Sequence, residues 1–231
     1  MTSSAKSAWL VPTLLITLTA VPVLAGAVRV AELTGGPEVT PENARFVADP
    51  VPVLLHIVAA TVFCVLGAFQ FVPGLRRRGR GWHRTAGRLL VPAGLVAALS
   101  GLWMTLFYPQ PAGDGDLLTG FRLLFGSAMV VCIVLGFAAV RRRDFARHSA
   151  WMIRGYAIAQ GAGTQALTHL PWILFLGTPG VTGRALLVAL GWVINLAVAE
   201  WIIRRRSTSA TRTTHSATAT TYAPVGVTTA R

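Results

Sequence analysis

Six long apolar runs separated by short polar stretches dominate the pattern of the chain. A bilayer core about 30 Å thick needs roughly 20 apolar residues in a helix, and a helix satisfies its own backbone hydrogen bonds in lipid. The pattern therefore predicts an all-α, polytopic membrane protein. We expect a bundle of six transmembrane helices at about residues 8–28, 51–73, 89–109, 121–140, 149–176 and 185–203.

The two ends of the chain differ from this apolar core. The first run ends near Ala25-Gly26-Ala27, which also resembles a signal-peptide cleavage site, but the five further runs favour an uncleaved first helix. Beyond Arg206 the residues are mostly Ser, Thr and Ala, too few of them large and apolar to offset the entropy of ordering. We expect a transmembrane domain over residues 1–206 and a disordered cytoplasmic tail over residues 207–231.

Basic residues cluster in alternate connections between the runs. Lys and Arg in short loops remain cytoplasmic, so both termini are predicted inside, with only Arg29, Arg45, Arg122 and Arg184 outside. The expected location is a bacterial inner membrane, with anionic lipid headgroups contacting the arginine runs. The net charge of +13 arises from these loops, and no nucleic-acid-binding motif accompanies it, so we expect no nucleic acid partner.

One spacing occurs twice along the chain. Arg76-Arg77-Arg78 is followed five residues on by His83, and Arg141-Arg142-Arg143 is followed five residues on by His148. A parallel repeat of helices 2–3 as helices 4–5 would produce this pattern. The positive-inside bias also produces similar arginine-rich loops, so both explanations stay open.

Four histidines lie at two depths of the predicted bundle. His56 and His169 are expected near the outer leaflet, and His83 and His148 at the cytoplasmic boundary. A low-spin haem b takes two imidazoles at the same depth on facing helices, and two such sites make an electron path across the bilayer. The leading specific hypothesis is therefore transmembrane electron transfer through b-type haem, with these four residues as candidate axial ligands.

Other roles for these histidines are simpler. His83 and His148 adjoin arginines, where contact with lipid headgroups accounts for them, and the other two can be hydrogen-bonded within the bundle. The 21 residues from His148 to His169 also span about 31 Å, which is wide for two stacked haems. The alternatives are a small-molecule transporter, or a lipid-interacting or assembly protein without catalysis.

Polar side chains within apolar spans usually face the bundle interior. At 100° per residue, His56 and Gln70 lie about 40° apart on helix two. Arg154, Gln165 and His169 lie within about 60° on helix five, which predicts one polar stripe along that helix.

Residues near the predicted inner face have simpler explanations. Glu200 of helix six lies at a depth comparable to that of Arg154, so the two are expected either to pair or to reach the interface separately. An aromatic belt accounts for Trp9, Trp82, Trp151, Trp201 and Tyr156.

Signatures of soluble enzymes do not occur in the sequence. It has no phosphate-binding glycine loop, nucleophile elbow or paired carboxylates, so whether the protein is an enzyme stays open. Cys64 and Cys132 lie in apolar runs without the spacing of a zinc site. No metal beyond haem iron is expected, and a redox partner and the oligomeric state cannot be predicted from these residues.

Three segments resemble a known family. They are residues 66–71 (LGAFQF), 82–88 (WHRTAGR) and 148–157 (HSAWMIRGYA). These segments resemble the predicted bacterial membrane proteins of domain of unknown function 2306, over about residues 50–175. The resemblance implies a membrane protein and no particular activity. It marks as the first positions to test His83, Arg84, Gly87, Arg88, His148, Trp151 and Arg154.

Overall fold

A computed structural model describes residues 3–72, 80–111 and 113–221 of the chain. Within these ranges the chain forms α-helices joined by short connections, with no β-strand. In chain order they are α1 (Ser3–Thr34), α2 (Ala44–Ala48), α3 (Pro50–Phe69), α4 (Arg80–Phe107), α5 (Asp116–Arg141), α6 (Phe145–Ala159), α7 (Gly161–Leu176) and α8 (Val181–Thr221). The all-α fold class is confirmed.

Five of these helices are long and apolar enough to cross a membrane. The spans are Trp9–Thr34, Pro50–Phe69, Gly81–Phe107, Asp116–Arg141 and Val181–Arg206. Only 17 to 33% of the most apolar stretch of each span is buried within the protein, so most of its apolar residues keep some surface outside the protein core. Lipid is the solvent that such a surface requires. The protein is therefore a multi-pass membrane protein.

The fifth predicted span, residues 149–176, differs from the expectation of one continuous helix. Helix α6 ends at Ala159 and α7 begins at Gly161, so Gln160 interrupts the span. The glycines that follow the interruption lie against neighbouring helices. A Cβ atom at Gly161 would overlap the indole nitrogen of Trp192, and one at Gly163 would overlap the carbonyl oxygen of Leu18. Apolar length alone does not reveal such close backbone approach, and the prediction of one unbroken helix was wrong.

Two helices begin earlier than the apolar pattern predicts. Helix α4 begins at Arg80 and α6 at Phe145, so His83 and His148 each lie near the first turn of a helix and do not precede it. Polar residues in these turns lower the local hydropathy without ending the helix.

Helix α8 continues to Thr221 and so includes residues 207–221 of the tail that composition predicts to be disordered. Disorder of the tail stays a prediction, and residues 222–231 lie outside the described part of the chain.

The helices pack as neighbouring antiparallel pairs. Helix α3 packs on α4, α5 on α6 and α7 on α8, while α1 contacts α3 and α7. Phe63, Ile133 and Tyr156 belong to the cluster of buried side chains at the centre. Each half of the predicted repeat is thus a helix hairpin, and the duplication itself stays a prediction.

The two ends of the bundle differ in charge. We call "basic end" the end at which α4 and α6 begin, where Arg84, Arg147 and Arg206 lie. The opposite end carries the connections from α1 to α3, from α4 to α5 and from α7 to α8.

Reporter fusions test which end of the bundle is cytoplasmic. Fusions after Gly79 and after Arg206 are expected to be active as cytoplasmic reporters, and a fusion after Gly113 as an external reporter, because positive residues remain inside. Paired alkaline phosphatase and fluorescent-protein fusions measure this directly. A cytoplasmic reading after Gly113 would contradict the predicted orientation.

Candidate functional site

The helices surround a cavity of about 920 Å³ toward the end opposite the basic end, here called the large cavity. Residues of all eight described helices line it. His56 of α3 and His169 of α7 are both among them. Two histidines that the sequence places at one depth therefore share one cavity.

Both imidazole rings of this pair are oriented by backbone carbonyl groups. Nδ1 of His56 lies 2.8 Å from the Ala97 oxygen, and Nδ1 of His169 lies 2.7 Å from the Gln165 oxygen. A carbonyl oxygen can only accept, so each Nδ1 carries the proton and donates it. In a neutral imidazole the Nε2 atom then keeps its lone pair. Histidines that ligate metals usually have this arrangement.

The ring of His56 also lies against a glycine and a hydroxyl group. The Ser100 hydroxyl is 3.3 Å from Nδ1, and it donates to the Val96 carbonyl oxygen at 2.6 Å. A Cβ atom at Gly101 would lie 3.2 Å from Cε1 of the ring. The small residue at position 101 therefore leaves room for the imidazole beside α4.

Three arginines line the same large cavity. Asp114, whose side chain is fully buried, accepts a hydrogen bond from Nη1 of Arg122 at 2.6 Å and lies 3.1 Å from Nε of Arg184. Arg45 lies in the short α2 helix, and its Nε atom is buried without a hydrogen-bond partner among the described residues. One carboxylate and three guanidinium groups leave this lining positively charged.

The surroundings of Arg45 disfavour its charged form. Burial has the largest effect and lowers the pKa of the guanidinium; Asp114 raises it, while Arg122, Arg29 and Arg184 lower it further. An anionic group bound in this part of the cavity would relieve that repulsion. Sequence reasoning missed this cluster, although three of the four arginines predicted outside form it, and their departure from the positive-inside pattern was the available signal.

A second cavity of about 380 Å³, here called the small cavity, lies at the basic end. His83 and His148 both line it, together with Gln70, Arg84 and Gly87. Nδ1 of His148 donates to the Gly136 carbonyl oxygen at 2.9 Å, so this ring too presents Nε2 as an acceptor. Four of the seven positions that the resemblance marks thus line one cavity, namely His83, Arg84, Gly87 and His148.

A buried polar network lies between the two cavities. The Tyr156 hydroxyl donates to the Cys64 carbonyl oxygen at 2.6 Å and accepts from Nε2 of Gln160 at 2.7 Å. The Thr19 hydroxyl lies 3.0 Å from Oε1 of Gln160. Tyr156 lines the small cavity, Thr19 and Gln160 line the large one, and Phe63 lines both. Tyr156 is a core residue with 6% exposure, so its assignment to an interfacial aromatic belt was wrong.

The remaining predicted site residues lie outside the small cavity. Arg154 forms a two-point ion pair with Glu200 of α8, through Nε to Oε1 and through Nη2 to Oε2 at 3.0 Å, and its guanidinium lies 4.9 Å from the centre of the Trp151 ring. Gln165 lines the large cavity and donates to the Val188 oxygen at 3.2 Å. Arg154 and Gln165 thus both bond to residues of α8, on either side of the interruption at Gln160, and the single polar stripe stays a prediction.

Arg88, which the resemblance also marks, is exposed on α4 and lines neither cavity. Its side chain is one turn beyond Arg84, which does line the small cavity. Both arginines are exposed, so the pair separates the effect of lining the small cavity from the effect of a surface charge.

A family model described as "Predicted membrane protein (DUF2306)" matches residues 53–203, which is more than half of the chain. The chain belongs to the DUF2306 family. The matched region includes helices α3 to α7, most of the span in α8 and nearly all the residues that line the small cavity. No curated protein and no solved structure gives a significant match.

The candidate metal ligands in this DUF2306 protein are pairs of histidines, each pair lining one cavity. Among the residues that the structure describes, no group of three or more His, Cys, Asp or Glu side chains is arranged to hold a metal ion. Cys64 and Cys132 are both buried free thiols. A haem supplies four ligands from its own ring and needs only two from the protein, so a pair of imidazoles is enough.

Proposed function

We propose that the protein binds one haem b between His56 and His169 and transfers single electrons through its iron. The observation that carries this proposal is that both histidines, from different helices, line one cavity with Nδ1 held by a carbonyl oxygen. Such a hydrogen bond fixes the tautomer and increases the basicity of Nε2 toward a metal. Two imidazoles on facing helices are the axial ligands of low-spin haem in helix bundles.

The large cavity supports this ligand by its size and its charge. A volume of about 920 Å³ lies near the upper end for cofactor sites, and the lining is mostly apolar, as a porphyrin requires. The arginines that line it suit the two carboxylates of haem b, because guanidinium groups bind carboxylates with paired hydrogen bonds. His56 lies six residues from the start of α3, or about 9 Å along its axis. The haem edge would therefore lie close to one face of the membrane.

The histidine pair of the small cavity supports a second haem less well. His83 and His148 do share that cavity, but it has less than half the volume of the other. We therefore confine the proposal to one haem in the large cavity. Electron exchange then takes place between that haem and a redox partner at the end opposite the basic end.

An optical spectrum of the full chain tests this function. The protein purified in detergent from cells supplied with a haem precursor is expected to show a Soret band and, after dithionite, the sharp α-band of six-coordinate haem b. A pyridine haemochrome assay is expected to give about one haem per chain. A preparation that is colourless and stays colourless after incubation with haemin would exclude the proposal.

Small-molecule transport is the second candidate, and the interruption at Gln160 favours it. Many transporters bind their substrate near the membrane midplane, where a helix is broken. Here the interruption lies between two cavities that approach opposite ends of the bundle. Colourless protein that exchanges a solute across vesicle membranes would favour this function over electron transfer.

A further inference from the structure

The small cavity is lined by cationic and hydrogen-bonding side chains. Among the described residues that line it, none is acidic. The polar and charged side chains in this lining are Gln70, His83, Arg84, His148, Ser149, Tyr156 and Arg206. A cavity with this lining has a positive potential and favours an anion.

Gln70 contributes to the cavity a hydrogen-bond donor that no described residue accepts from. Its Nε2 atom is buried and has no hydrogen-bond partner among the described residues. A buried donor of this kind costs roughly 1 to 3 kcal/mol unless something accepts from it. The structure therefore favours a bound acceptor close to Gln70.

Two further observations point to an anionic acceptor. Arg84 lies within the first turns of α4, and the amino-terminal end of a helix carries partial positive charge. His148 is held by the Gly136 oxygen, so its Nε2 atom can share a proton with an acidic hydroxyl or, when protonated, donate to an oxyanion. An arginine, an imidazole and an amide donor together suit an anion with several oxygens.

The rest of the lining is apolar. Phe63, Phe71 and Leu90 line the cavity, and the Phe71 ring packs on Tyr156 with 5.2 Å between the ring centres. The site thus presents donors on one part of its surface and aromatic carbon on another. A ligand that fills it has a charged group attached to an apolar one.

We propose that the small cavity binds a phosphate group, carried either by an amphiphile or by a water-soluble ligand. A phosphate offers three or more acceptor oxygens, whereas a carboxylate offers two, and Gln70, Arg84 and the protonated imidazole of His148 can each donate to a separate oxygen. Arginines at the end of a bundle also attract anionic phospholipid headgroups to the adjacent membrane surface. This site does not use the large cavity, so it does not depend on the proposed haem.

Three probe molecules test separately whether binding requires the phosphate group, the acyl chains or both. Dihexanoyl phosphatidic acid has a phosphate and acyl chains, dihexanoylglycerol has the chains alone, and inorganic phosphate has the anion alone. Binding to the full chain in a non-ionic detergent is measured by titration calorimetry and by native mass spectrometry. We expect phosphatidic acid to bind at least about tenfold more tightly than dihexanoylglycerol, since charge-assisted hydrogen bonds are lost with the phosphate.

Inorganic phosphate then identifies the source of the group. If it displaces phosphatidic acid only at much higher concentration, the ligand is an amphiphile; if it competes at equal concentration, the ligand is a water-soluble phosphate. Both results support a phosphate site.

Arg84→Gln and Arg88→Gln form a matched pair on α4, because only Arg84 lines the cavity. The first is expected to weaken binding of phosphatidic acid about tenfold and the second less than about twofold.

Gln70→Leu provides a second variant of the cavity if Arg84→Gln does not fold, as judged by thermal unfolding without ligand. Equal weakening by both arginine variants, or equal binding of dihexanoylglycerol and phosphatidic acid, overturns the proposal. So does a second haem per chain that His148→Ala removes.

Discussion

Replacing His169 with Ala is expected to remove the haem absorption of the purified protein, and His56→Ala is expected to do the same. Each imidazole is one of two axial ligands in the proposed site, and neither helix offers another ligand at that position. We expect the haem content per folded chain to fall by roughly tenfold or more, since even hydrogen-bond partners of ligands contribute 10–100-fold to metal affinity. Any haem that remains should lose the narrow α-band of the six-coordinate state.

The matched control for these two variants is His148→Ala. Its ring also donates Nδ1–H to a carbonyl oxygen, but it lines the small cavity. This variant should keep the haem of the large cavity and its α-band. If His56→Ala and His169→Ala retain full haem while only their melting temperatures fall, the histidines are structural and the haem site is elsewhere.

Gly163→Ala is expected to disrupt the bundle more than other small substitutions. The added methyl group would overlap the Leu18 carbonyl oxygen of α1, and a backbone atom cannot move aside as a flexible side chain can. Overpacking in a tight interior typically costs 1–3 kcal/mol, and we expect a loss at the upper end, about 3 kcal/mol. Thermal unfolding in detergent, followed by circular dichroism, measures the change.

Gly120→Ala is the control for this substitution. Gly120 lies in α5 with no atom of another residue near enough to meet an added Cβ, so its replacement should not destabilise the protein and should raise the free energy of unfolding by up to about 1 kcal/mol, because Ala is the better helix former. Equal stability losses in the two variants would show that α1 and α7 are not in close contact at Gly163.

The sequence predicts the parts of this fold that depend on length and hydropathy. Five apolar runs became spanning helices, because a chain in lipid has few alternatives to a helix. The interruption at Gln160 could not be predicted in this way. It depends on which neighbouring helix lies against Gly161 and Gly163, and that contact involves residues more than a hundred positions away in one case and about thirty in the other.

The candidate sites show the same division. Depth along each helix is readable from the distance to its ends, so His56 and His169 could be assigned to one level before their shared cavity was known. The direction in which a side chain points, in contrast, depends on how each helix is rotated about its axis when the helices pack. Arg45, Arg122 and Arg184 come from three different helices, and Asp114 brings two of them together, which no local pattern could reveal.

The buried network of Tyr156, Gln160 and Thr19 lies between the two cavities. Gln160 and Thr19 are each only 3% exposed, and Phe63 beside them lines both cavities. Tyr156 lines one cavity and its hydrogen-bond partner Gln160 lines the other. The proposed haem site and the proposed phosphate site therefore share a wall, and a side-chain movement in that wall would alter the lining of both.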